Sequence, residues 1–187
     1  ETRQWDCGAT VNPLFPKQVA APGARVPTLD EVLALADKGT FTFLIEIKIS
    51  AERPELAPPP EEYAKLVADA VRRRGLEKRV IVQSFDFRPL AALQRIAPEI
   101  PTAGLWGTAE RPFAEVARES GSRMVAPHYR TVTKEKVSAA HQAGLRVVPW
   151  TANDREVWGT LVAAGVDGII TDDPAGLLAF LKQQGLH

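Results

Sequence analysis

The stretch "FTFLIEIKIS", residues 41–50, decides how the chain is read. Seven of its ten residues are apolar or β-branched, as a buried strand requires. Yet Glu46 and Lys48 interrupt it, two residues apart. Side chains alternate along a strand, so Leu44, Glu46 and Lys48 share one face and Phe43, Ile45 and Ile47 the other. The second face is wholly apolar and is expected to meet helices. The first is left to face the interior of the fold, with Glu46 and Lys48 near the strand's C-terminal end. Burying an unpaired charge costs on the order of several kcal/mol, so both groups call for partners. A metal for Glu46 and an anionic phosphate for Lys48 would serve. So would a structural pair of the two with each other.

Outward from this stretch the chain alternates. "TLDEVLALADKG" carries Thr28 with Glu31 three residues on, a capping box, and Gly39 as a stop, which predicts a helix. Helix stops follow at Gly75, Pro98, Gly121, Gly144 and Gly165, spaced 23, 23, 23 and 21 residues apart. After the stops come the apolar runs "FTFLIEIK", "RVIVQSF", "PTAGLW", "RMVAPHY", "RVVPWT" and "DGIITD". Between them lie the helical segments "PEEYAKLVADAVRRR", "RPLAALQRIA", "PFAEVARES", "KEKVSAAHQA" and "DREVWGTLVAA", with Asp86, Thr133 and an Asn153–Glu156 box marking starts. This pattern predicts an α/β fold with a parallel sheet, and its regular period a TIM-type (β/α) barrel rather than a doubly wound sheet. No G-x-G-x-x-G follows any run, which argues against a dinucleotide site. About six βα units are visible where a closed barrel needs eight, so the N-terminal strands are expected to be missing. Met124 is the sole methionine, in keeping with a piece of a longer protein. Residues 1–27, with Pro13, Pro16, Pro22 and Pro27, read as an irregular lead-in belonging to the barrel, and 28–187 as the C-terminal part of a single (β/α) barrel domain.

The 187 residues suffice for one domain, and 45% hydrophobic with 25% charged residues is an ordinary globular composition. Lys+Arg and Asp+Glu balance at 23 each, which gives no sign of a nucleic-acid partner. No apolar run nears the roughly 20 residues of a membrane span, so no stable membrane insertion is expected. Cys7 is the sole cysteine, and no zinc set or nucleophile–His–Asp constellation can be assembled.

Polar and aromatic groups end the runs: Gln83, Ser84 and Phe85, then Trp106, His128 with Tyr129, Trp150 with Thr151 and Asn153, and Thr171 with Asp172. Converging on one rim, they would form a pocket. Asp172 or Asp173 is read as the cap of a helix begun by Pro174, and Ser84 as a partner for loop backbone. His128 is read as a rim residue without chemistry, His141 as solvated on a helix, and Trp158 as packing.

The segments "VPTLDEVLAL", "FLIEIK", "VIVQSFDFRPLAALQRIAPEIPTAGLW", "AAHQAGLRVVPWTAND" and "LVAAGVDGIITDDP" together resemble the glycerophosphodiester phosphodiesterases, from about Cys7 to the end. The resemblance implies an imperfect TIM-type barrel. It also implies hydrolysis of glycerophosphodiesters to glycerol 3-phosphate and an alcohol, with a divalent cation, Ca²⁺ or Mg²⁺, and a histidine pair as acid and base. Carried over, Glu46 would be a metal ligand and Lys48 would face the phosphate, with Gln83, Phe85 and Trp150 lining the substrate pocket. The family's His-Arg-Gly strand, Glu-x-Asp metal pair and His-Asp strand end are not in this sequence. The catalytic histidines are therefore expected upstream of Glu1, in a missing N-terminal barrel segment, with none in this one. The chain alone is expected to be inactive. Two alternatives stay open: a non-catalytic binding domain that keeps the barrel shell, and a related barrel acting on lysophospholipids or sphingolipids. The lead-in "DCGATVNPLFPKQ" resembles exported bacterial members, which implies the periplasm or secretion.

Overall fold

The structure is a computed structural model that describes residues 4–15, 18–50 and 52–186, so Pro16 lies outside the described residues. It falls into two units, residues 1–41 and 42–187.

In the first unit, the described residues up to 27 form neither α-helix nor strand, as their prolines require. Asp6 organises them: its carboxylate accepts hydrogen bonds from the N–H groups of Ala9 (3.1 Å) and Gly23 (2.8 Å). These bonds, that of Gly23 first, hold its carboxyl below the usual range. Thr28 and Glu31 form the expected reciprocal cap: Thr28 Oγ1 accepts the Glu31 N–H (3.2 Å) and Glu31 Oε2 accepts the Thr28 N–H (2.7 Å). Helix α1 nonetheless spans only Leu29–Leu33, and Ala34–Lys38 tighten into a 3₁₀-helix. Gly39 is extended at φ 174° and supplies no left-handed cap.

The second unit is built on five parallel strands: β1 Phe43–Glu46, β2 Val80–Ser84, β3 Thr102–Leu105, β4 Met124–Ala126 and β5 Arg146–Val147. They lie in consecutive order, β1-β2-β3-β4-β5. A doubly wound sheet would reverse direction at a switch point, and this one does not. With right-handed crossovers throughout, consecutive order keeps the crossover helices on one side, which is the winding of a (β/α) barrel. Those helices are α2 Pro60–Arg73, α3 Phe87–Ile96, α4 Phe113–Ser120 and α5 Lys134–Gln142; α6 Arg155–Ala164 and α7 Pro174–Gln183 complete the unit.

The helix ends follow the local chemistry. Asp86 accepts the Arg88 N–H (2.9 Å) and opens α3; Thr133 accepts the Lys136 N–H (3.3 Å) and opens α5. Left-handed Gly121 (φ 65°) and Gly165 (φ 84°) close α4 and α6. Between sheet and helices sits one core cluster of Trp106, Phe113, Val116, Val125, Val137 and Val147. A second, of Ala152, Trp158, Leu161, Leu177 and Phe180, joins α6 to α7. The β3–α4 contact is close enough that a Cβ on Gly104 would sit 2.7 Å from Ser120 Oγ.

Three sequence expectations change here. The sixth run, residues 167–172, is not a strand. It still runs beside the chain of β5, with the Asp167 N–H on Val147 O (2.9 Å), the Ile170 N–H on Pro149 O (2.9 Å) and the Ala152 N–H on Ile170 O (2.9 Å). Pro149 has no N–H to return, so the ladder loses a rung and the register slips. Asn153 does not cap α6. Asp154 takes the cap position without a side-chain bond, because the Asn153 amide is engaged elsewhere. Trp106 does not reach the rim. It lies on the helix side of β3 in the core, edge-on to Phe113 at 5.2 Å between ring centroids.

Candidate active site

Strand β1 separates its side chains as the alternation requires. Ile47 and Phe43 are buried, while Leu44, Glu46 and Lys48 are exposed on the opposite face. Register extends that face across the sheet: Glu46 pairs with Gln83, Gln83 with Ala103, Ala103 with Met124, and Met124 with Arg146. Glu46 and Gln83 are thus neighbours on adjacent strands, about 4.8 Å apart along the hydrogen-bonding direction. Lys48 Nζ lies 3.8 Å from Glu46 Oε1, with the side chains 80% and 32% exposed respectively. At that distance and exposure the pair is weak, about 0–1 kcal/mol, and leaves both groups available.

At the C-terminal ends of β2 and β5, Phe85 meets Trp150 edge-on, with centroids 5.2 Å apart. Trp150 Nε1 donates to Ala126 O (3.0 Å) at the end of β4. His128 stacks on Tyr129 at 4.7 Å and stands edge-on to Trp150 at 5.2 Å. Its Nδ1 accepts the Arg130 N–H (3.3 Å). Burial, and then the Arg130 charge, push this imidazole below its ordinary pKa. It is a fixed, aromatic-packed histidine. His141 is half-exposed on α5 but not simply solvated: its Nε2 lies 2.9 Å from Asp167 Oδ2, which also accepts the Val147 N–H (2.7 Å).

The remaining rim residues serve loop structure. Ser84 Oγ donates to Ile47 O (2.6 Å) and accepts the Asp86 N–H (3.1 Å). Asn153 ties two loops together: its Oδ1 accepts from Thr171 Oγ1 (3.1 Å) and the Asp172 N–H (2.8 Å), and its Nδ2 donates to Asp172 Oδ2 (2.7 Å). Asp173 caps α7 through the Gly176 N–H (2.9 Å). The structure thus groups Glu46, Lys48 and Gln83 at β1–β2, and Phe85, Trp150 and His128 at the ends of β2, β4 and β5. It withdraws Trp106, Ser84 and Asn153 to structural tasks.

The donors at β1–β2 suit a hard cation, since a carboxylate and an amide oxygen are the ligands Ca²⁺ and Mg²⁺ take. Gln83 Oε1 is buried with no hydrogen-bond partner, an acceptor in want of a positive group. Among the described residues no three His, Cys, Asp or Glu come together as a metal cage, so these donors fit as part of a coordination sphere.

Parallel strands in consecutive order, joined by helices, give the second unit the fold of a (β/α)-barrel protein. The chain belongs to the glycerophosphoryl diester phosphodiesterase family, which it matches over residues 3–176. It is 34% identical over 165 residues to the glycerophosphodiester phosphodiesterase of Caldanaerobacter subterraneus subsp. tengcongensis, covering 87% of this chain and 65% of that protein. To the glycerophosphodiester phosphodiesterase of Bacillus subtilis it is 28% identical, over 93% of this chain and 61% of the relative. A solved structure from the same family, from Silicibacter pomeroyi, superposes with a TM-score of 0.82 at 32% identity, over 92% of this chain and 62% of that one. The chain therefore spans somewhat under two thirds of the length of these relatives.

Proposed function

We propose that this chain is part of a phosphodiesterase that hydrolyses glycerophosphodiesters to glycerol 3-phosphate and an alcohol with the help of a divalent cation. Family membership across residues 3–176, together with the acidic and basic groups at the C-terminal end of β1, is the observation that carries the reading. In it, water adds to phosphorus, the bond to the leaving alcohol oxygen breaks, and that oxygen takes up a proton. Glu46 holds the cation and Lys48 faces the phosphate. The cation, when bound, would supply positive charge to offset the negative charge developing on the phosphate. The Lys48 ammonium, on a long exposed stem, donates hydrogen bonds to phosphate oxygens as their charge grows. Gln83 borders the same position, and Phe85 and Trp150 form an apolar wall that orients the substrate.

The acid and base belong, in this reading, to a histidine pair in barrel sequence that precedes Glu1. The two described histidines are otherwise occupied: His128 accepts a backbone N–H within an aromatic stack, and His141 is paired to Asp167. The full-length protein should release glycerol 3-phosphate from a glycerophosphodiester, and a chelator should stop the release until Ca²⁺ or Mg²⁺ is restored. A full-length protein that binds the diester but never cleaves it, with any divalent cation, would instead be the non-catalytic barrel. Cleavage only of lysophospholipid or sphingolipid diesters would move the reading to the related barrel.

A further inference from the structure

Among the described residues, two buried side-chain polar atoms have no hydrogen-bond partner: Trp106 Nε1 and Gln83 Oε1. The indole lies in the apolar core against Phe113, on the helix side of the sheet. The amide differs in position and in company. Gln83 is 7% exposed, stands on the face away from the helices, and pairs in register with Glu46. A buried amide oxygen without a donor loses its hydration and gains nothing in return, so native proteins retain one where something else binds it.

The chemistry of the neighbour narrows what that is. An ionised carboxylate only accepts hydrogen bonds, so Glu46 has no proton to offer Gln83 Oε1. Two hard oxygen acceptors side by side on adjacent strands are the arrangement a cation relieves. An amide carbonyl is an ordinary Ca²⁺ ligand, and a cation contacts oxygen at about 2.0–2.6 Å, closer than the roughly 2.8 Å of a water. From these observations we infer that Gln83 is a protein ligand of the cation, its Oε1 acting together with the Glu46 carboxylate, rather than only a wall of the substrate pocket. This rests on the phosphodiesterase reading given above.

Calorimetric titration of the full-length protein with Ca²⁺ and with Mg²⁺, in the absence of substrate, tests it. Gln83→Leu, which keeps size and removes the oxygen, should weaken cation binding at least about tenfold, the lower end of what even outer-shell partners contribute. Its urea midpoint without cation should equal or exceed that of the wild type, because the unpaired amide is gone. Gln83→Glu, which restores an oxygen and adds charge, should bind the cation as tightly as wild type or more tightly. Gln83→Leu with unchanged affinity, while Glu46→Gln loses the ion, would overturn the inference and leave the phosphodiesterase reading standing. Loss of affinity in both Gln83→Leu and Gln83→Glu would also overturn it, by making the amide N–H the working group. A wild-type protein that binds neither ion would overturn inference and reading together.

Discussion

The two faces of β1 differ sharply in burial. On the helix side, Phe43 and Ile47 continue into Val82, Val125 and Val147, all buried. On the other side stand Leu44, Glu46 and Lys48, exposed, with Gln83 beside them. One residue of register separates a position that holds the sheet to its helices from one that is open to solvent. Burial and exposure thus fall on alternate residues of the same strand, and the two can be perturbed one residue at a time.

The largest effect on folding belongs to Ile47, which has no exposed surface. Ile47→Ala should cost about 2–5 kcal/mol in urea unfolding, from lost transfer energy and the cavity left behind. Leu44→Ala, on the open face, should cost less than half as much; equal costs would erase the distinction between the faces. A smaller effect sits where β2 hands over to α3. Asp86 caps that helix and is forked by Arg88, which holds its carboxyl below the ordinary value of 3.8. Asp86→Ala should cost about 1 kcal/mol. Because the folded-state pKa is depressed, the stabilisation is present above pH 3.8 and is lost as pH falls through the lower folded value. The gap between Asp86→Ala and wild type should therefore close in acid unfolding. A gap that stays constant down through that range would remove the carboxylate from the explanation.

Much of this was legible in the residues themselves. Alternation in "FTFLIEIK" places Ile47 among helices and Glu46 away from them, and Thr28, Asp86, Thr133 and Asp173 cap the helices they mark. What could not be read locally depends on partners far along the chain. Asn153 resembles a cap by spacing, yet Thr171 and Asp172, eighteen and nineteen residues on, recruit its amide. "DGIITD" has the composition of a strand, but Pro149 on the neighbouring run cannot donate to it. Trp106 ends an apolar run as the other rim residues do, yet it packs against Phe113, whose helix begins seven residues further on. The closeness of Glu46 and Gln83 is of the same kind: each sits at the end of its own strand, and pairing alone makes them neighbours. Fold class follows from local periodicity, whereas site composition follows from register, which no single segment encodes.

The central claim is that the Glu46 carboxylate serves a cation and a phosphate rather than the fold. Its direct test is Glu46→Gln in the full-length protein, read by cation-dependent release of glycerol 3-phosphate and by urea unfolding on the same sample. Release should fall by about 10²–10³-fold, the scale of losing one well-placed electrostatic contribution. The unfolding free energy should stay within about 0.5 kcal/mol of wild type, as for other exposed positions. Undiminished turnover, or a loss of stability large enough to account for the missing activity, would contradict it.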